Sequence, residues 1–177
     1  NDFDTEMLTG SWGILITLEG VDDLRNDRDV VVKFYVNNDP IQLSPNREPL
    51  RNATYAFRQD PHYQATTHGR IADGVLTTEP VDTTFGYVVA GMHLDRTLRD
   101  ARMRMNIASD GGMDGILAGY APVDNAYDVA FGFRGARDGS GQPARYGAFA
   151  AAGYAGTAGH TCNGAYHLIQ QMADGHR

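Results

Sequence analysis

The chain has 177 residues, 42% of them hydrophobic and 10% aromatic, enough for one well-buried core and too apolar for a disordered chain. A formal charge of −7 and a pI near 5.2 argue against a nucleic-acid or anionic-membrane surface. No run approaches the roughly eighteen apolar residues a membrane helix needs, and 21 glycines with 7 prolines favour short strands joined by turns.

Asn1 to Thr9 is acidic and polar and reads as a lead-in. Ser11 to Glu19 is a first strand, with Trp12, Ile14, Ile16 and Leu18 on one face. Gly20 to Asp29, dense in Asp22, Asp23, Asp27 and Asp29, reads as a loop. Val30 to Val36 is nearly continuous in β-branched and aromatic residues, as in a strand covered on both faces. The turn residues Asn37-Asn38-Asp39-Pro40 end it, and Ile41 to Arg51, with Pro45 and Pro49, is a surface loop. Asn52 to Arg58 alternates with Ala53, Tyr55 and Phe57 on one face, which predicts a strand. His62 to Arg70 alternates weakly before an Asp73-Gly74 turn, and Val75 to Thr78 leads away from it.

Pro80 to Val89 is a further strand, Gly91 breaks it, and Met92 to Leu98 alternates again. Arg99 to Tyr120 is the clearest hairpin. Ala101, Met103, Met105 and Ile107 face one way and Arg102, Arg104 and Asn106 the other. Ser109-Asp110-Gly111-Gly112 supplies the turn, and Met113 to Tyr120 returns. Tyr127 to Phe133 is one more strand. Gly135 to Pro143 is a loop, and Tyr146 to Gly159, small and glycine-rich, reads as a closely packed strand or a connector. Ala165, Leu168, Ile169 and Met172 recur at helical spacing, so Asn163 to Ala173 is the predicted helix, capped by Thr161 or Asn163 and closed near Gly175.

The pattern predicts a single mainly β domain over residues 1–177: an antiparallel β-sandwich or flattened barrel of about eight to ten short strands, with a C-terminal helical segment over 160–177. Opening at Asn1 fits a processed N-terminus or a trimmed chain equally. Cys162 stands alone, so any disulfide must reach outside these residues, and an exported protein is the expectation.

Motifs that would name a reaction are missing. No Gly-x-Ser-x-Gly elbow surrounds Ser11, Ser44, Ser109 or Ser140, and neither a phosphate loop nor a dinucleotide fingerprint occurs. Thr161-Cys162-Asn163-Gly164-Ala165 lacks the second cysteine and the histidine of a haem attachment sequence. His160, Cys162 and His167 combine imidazole with thiolate, a set that suits a transition metal, at a spacing that matches no common zinc pattern. Asp22, Asp23, Asp27 and Asp29, with Asn26, are oxygen donors of the kind calcium takes, although Arg25 and Arg28 interleave them. Asp110 and Asp114 are better read as turn residues. Glu79, Asp82 and Asp95 lie near strands and are the carboxylates a glycosidase would draw on. Asn52-Ala53-Thr54 fits a glycosylation site in a secretory setting.

Of fifteen basic residues only Lys33 is not arginine. Arg102 and Arg104 share a strand face and present two planar, bidentate groups, with Asp95 and Asp100 close enough in sequence to neutralise them. These observations lead to a non-enzymatic binding or structural module that needs no cofactor and contacts a protein partner or glycan through Arg102, Arg104, Tyr127, Phe131, Phe133 and Tyr154. The alternatives are a carbohydrate-active hydrolase and a barrel that binds a small ligand. Fold alone does not choose among them.

Overall fold

The computed structural model of the chain describes residues 2–37, 39–89 and 92–123, with Asn125, Gln170, Gln171 and Ala173. Two compact units divide the chain: Asn1–Val88 with Asp95–Tyr120, and Val89–Leu94 with Ala121–Arg177. The first carries nearly all of the described structure.

The chain begins with a helix, α1 (Asp2–Thr9), where sequence pattern suggested a polar lead-in. Thr9 Oγ1 donates to the Thr5 carbonyl at 2.8 Å, and Gly10, at φ 76°, takes the left-handed conformation that ends a helix. Seven strands follow: β1 (Ile14–Glu19), β2 (Asp27–Val36), β3 (Gln64–Ala72), β4 (Val75–Thr78), β5 (Val81–Val89), β6 (Met92–Ile107) and β7 (Met113–Tyr120). They form one antiparallel sheet in which β2 lies between β1 and β3, β4 joins β3 to β6, and β6 also pairs β5 and β7. This is an up-and-down meander. β4 and β5 lie end to end along one edge of β6, and β7 occupies the other.

The break between β4 and β5 falls at Glu79-Pro80, where proline has no N–H for a ladder. Neighbouring side-chain and backbone groups make good the loss. Met103 N donates to Thr78 Oγ1 at 2.9 Å, Glu79 N donates to the His68 carbonyl at 2.8 Å, and Thr67 Oγ1 donates to the Glu79 carbonyl at 3.1 Å.

The sheet is open and strongly curled, with the core on its inner face. Val30, Val32, Phe34 and Val36 of β2, Ala65 and Ile71 of β3, Leu76, Phe85, Ala101 and Met103 are buried there. Phe34 and Phe85 belong to strands that are not neighbours, yet their rings meet edge-to-face at 6.5 Å. The curl carries the end of β5 back to the start of β1, where Val88 N donates to the Ser11 carbonyl at 2.8 Å.

Several sequence expectations change. The sheet is a curled open one of seven described strands. β2 starts at Asp27, so Asp27 and Asp29 lie on a strand, beside a register shift between Asp27 and Val30. Residues 52–58 form no strand, because their polar groups are taken by a loop: Gln42 N donates to Tyr55 Oη, Gln42 Nε2 to the Thr54 carbonyl, and Ala56 N to Asp39 Oδ2. Residues 92–107 form one 16-residue strand instead of two. Its alternation changes phase at a bulge: Arg99 pairs with Tyr120 and Arg102 with Ala118, one residue more on β6 than on β7. Asp100 takes the extra position at φ 47°, and its N–H donates to Asp82 Oδ1 at 3.0 Å. Leu98 and Met103 thereby both reach the core although they have opposite parity.

The predicted strands over 127–133 and 146–159 lie outside the described residues. The same holds for the predicted C-terminal helix, except that Gln170 and Gln171 have helical backbone. Among the described residues the one named α-helix is α1.

Phe34 is 1% exposed and touches both halves of the curl. Phe34→Ala is expected to cost about 3–5 kcal/mol, read as a shift in the urea unfolding midpoint with an unchanged slope.

Candidate functional site

With the inner face packed, chemistry falls to the outer face, where alternation puts Lys33, His68, Arg70, Arg102 and Arg104. Cross-strand register sets Arg70 opposite Thr77, Thr77 opposite Arg104, and Arg104 opposite Ile116. Arg102 lies opposite Ala118. Arg102 and Arg104 are both exposed, as their alternation predicts. The expected neutralisation by acidic neighbours is absent: among the described residues neither has an ion-pair partner. Arg99 is held by Asp82, Nη1 to Oδ2, at 2.6 Å, and Asp95 is engaged elsewhere.

β7 is the exposed side of this surface. Ile116 is 69% and Tyr120 60% exposed, and Met113 is also open to solvent. Leu117 alone on this strand is half-buried, packed against the core. One edge of β7 bonds to β6, and among the described residues no strand pairs with the other. Natural edge strands are commonly blunted by lysine, proline or inward charge. β7, Met-Asp-Gly-Ile-Leu-Ala-Gly-Tyr, carries one charge, Asp114. Its glycines serve its fit to β6: a Cβ on Gly115 would fall 2.1 Å from the Arg104 carbonyl oxygen, and one on Gly119 2.9 Å from that of Arg99.

A second cluster fastens the segment before β3. Asp60 caps a single 3-10 turn, Pro61–Tyr63, by accepting from His62 N at 2.9 Å. His62 Nε2 then meets Asp95 Oδ2 at 2.7 Å, and Tyr63 Oη donates to Asp95 Oδ1 at 2.9 Å. The Arg58 guanidinium lies 4.6 Å from the centre of the Tyr63 ring. Gly86 makes the seat, since a Cβ there would come within 2.8 Å of Arg58 Nη1 and 3.0 Å of Tyr63 Cε1. Burial, followed by the bond to Asp95, raises the Tyr63 phenol above its usual range. Both carboxylate oxygens of Asp95 are therefore occupied by side chains.

In the acidic segment the oxygens turn to local backbone. Asp27 accepts from Asp22 N at 2.7 Å and from Asp29 N at 3.2 Å, and Asp23 accepts from Arg25 N at 2.8 Å. These N–H donors, Asp22 first, hold the Asp27 carboxyl below its ordinary range. Asp29 Oδ1 pairs with His68 Nδ1 at 2.8 Å, and that bond raises the His68 imidazole. Among the described residues no group of three or more His, Cys, Asp or Glu side chains could hold a metal ion. A shallow cavity of about 550 Å³ lined by Asn26, Asp27, Arg28, Arg70, Ile71 and Ala72 lies at this end of β2 and β3. Tyr127, Phe131, Phe133, Tyr154, His160, Cys162 and His167 lie outside the described residues. No described helix is long and apolar enough to cross a membrane.

The His62–Asp95 latch escapes sequence reading because its members stand 33 positions apart, with only Gly86 as an indirect sign. No family model, curated protein or solved structure matches this chain.

Asp95→Ala removes the acceptor of two charge-assisted bonds and should cost on the order of 1–3 kcal/mol. The amides of 58–63 should then exchange faster with solvent, which mass-detected hydrogen exchange measures. For His68, Asp29→Asn should lower the imidazole pKa in an NMR titration. Because the folded pKa is the raised one, the stabilising effect of this pair is complete below the unfolded value near 6.5 and fades as pH rises through the folded value. Wild type and Asp29→Asn should therefore converge in stability at alkaline pH.

Proposed function

We propose that this chain is a non-enzymatic binding module that contacts a protein partner by accepting an extended segment on the edge of β7 that faces away from β6. The observation that carries the reading is a β7 edge to which, among the described residues, no strand is bonded, together with exposed Ile116 and Tyr120 on a strand bearing a single charge. An unpaired row of N–H and C=O groups is a template for another strand, and apolar side chains beside it add buried area. Antiparallel addition would extend the meander by one strand without disturbing the core.

The packed inner face disfavours a small-ligand barrel, since Phe34, Leu76, Phe85 and Met103 fill the space a ligand would need. The engagement of Asp82 with Arg99, and of Asp95 with His62 and Tyr63, likewise disfavours a carboxylate pair free for acid/base work.

Ile116→Lys puts a charge on the open edge without touching the core. Native mass spectrometry of the protein isolated from its own cells should show a bound protein chain in wild type and lose it in Ile116→Lys at equal thermal stability. A wild-type protein isolated as a bare monomer, or one whose complex is unchanged by Ile116→Lys, would contradict the reading.

A further inference from the structure

We infer that the segment received on β7 is acidic, its carboxylates recognised by Arg102 and Arg104; this rests on the edge-binding reading above. The two arginines lie on β6, directly behind β7 on its exposed face. Arg102 stands opposite Ala118 and Arg104 opposite Ile116. Neighbouring strands are spaced about 4.8 Å apart, so an added strand would run two spacings from β6. An arginine stem can lie across one strand and present its head at the next. Over Ala118 nothing larger than a methyl group stands in the way.

Other charged groups near the edge sharpen the inference. Arg99, opposite Tyr120, is committed to Asp82 at 2.6 Å and contributes no free charge. Asp114, opposite Asn106, accepts from Asn106 Nδ2 at 3.3 Å and makes the Met113 end of the edge unfavourable for a carboxylate. Arg51 is tied to Asp110 at 3.2 Å in the turn before β7. Among the described residues the free positive charge beside this edge is therefore confined to the middle of the strand, opposite Ile116 and Ala118. A matching guest alternates apolar residues with carboxylates and places the carboxylates there, away from Asp114.

The chain's net charge of −7 opposes an acidic guest at long range. At 0.1 M salt the Debye length is about 10 Å, so charges farther away are screened while arginine–carboxylate contacts at bonding distance persist. Exposed pairs of this kind contribute at most about fivefold each.

The test uses the full chain with two probes: a short peptide alternating valine with glutamate, and its counterpart with glutamine. Affinity is measured by fluorescence anisotropy, and β7 amide protection by NMR hydrogen exchange. The glutamate peptide should bind about three- to tenfold more tightly, and both peptides should protect β7 amides. Arg102→Gln with Arg104→Gln should abolish the preference, and the double lysine variant should restore part of it. Equal affinity with β7 protected would overturn the arginine inference and leave edge binding intact. Glutamate-peptide binding without β7 protection, or no binding by either peptide, would overturn edge binding and this inference with it. Self-association through β7 in analytical ultracentrifugation would overturn the acidic guest in favour of a second copy.

Discussion

The contact between Phe34 and Phe85 is the constraint on which the rest of the structure depends. These rings belong to β2 and β5, which share no ladder, and they meet only because the sheet curls. Burying a side chain of this size is worth about 1.5–3 kcal/mol, and the edge-to-face arrangement adds to that. Around the pair, Val30, Val32, Val36, Leu76 and Met103 fill the inner face. With that face packed, the strands are left only their outer side and their edges for contact with other molecules.

The curl also explains how the two long strands are built. β6 must pair with β4, β5 and β7 while staying amphipathic over 16 residues on a bending sheet. The bulge at Asp100 corrects the phase, so that Leu98 and Met103 both face inward. The bulge leaves Arg102 and Arg104 on the outside, opposite Ala118 and Ile116 of β7.

Much of this was legible in the residues and some of it was not. The alternation of Ala101, Met103, Met105 and Ile107 against Arg102 and Arg104 identified the strand faces correctly, and Asp73-Gly74 marked its turn. Met92 to Leu98 and Arg99 to Ile107 read as two strands, since sequence does not show that a bulge at Asp100 joins them into one. Residues 52–58 alternate like a strand, yet the Thr54 carbonyl is taken by Gln42 Nε2, the Ala56 N–H by Asp39 Oδ2 and the Arg58 N–H by the Val36 carbonyl. Short, weakly amphipathic α1 carries little periodic signal, and its end depends on Gly10 and the Thr9 hydroxyl. That Arg102 and Arg104 have no ion pair among the described residues is a three-dimensional fact: Asp95, near in sequence, is drawn away by His62 and Tyr63.

A packed inner core coexists with a β7 edge to which, among the described residues, no strand is bonded. Residue-resolved amide hydrogen exchange of the free protein tests it most directly. The account predicts that the amides of Val32 and Phe34 in β2 exchange only through global unfolding. Along β7, alternate amides between Asp114 and Gly119, those turned away from β6, should exchange orders of magnitude faster than their neighbours. Uniform protection along β7, equal to that of β2, would contradict it.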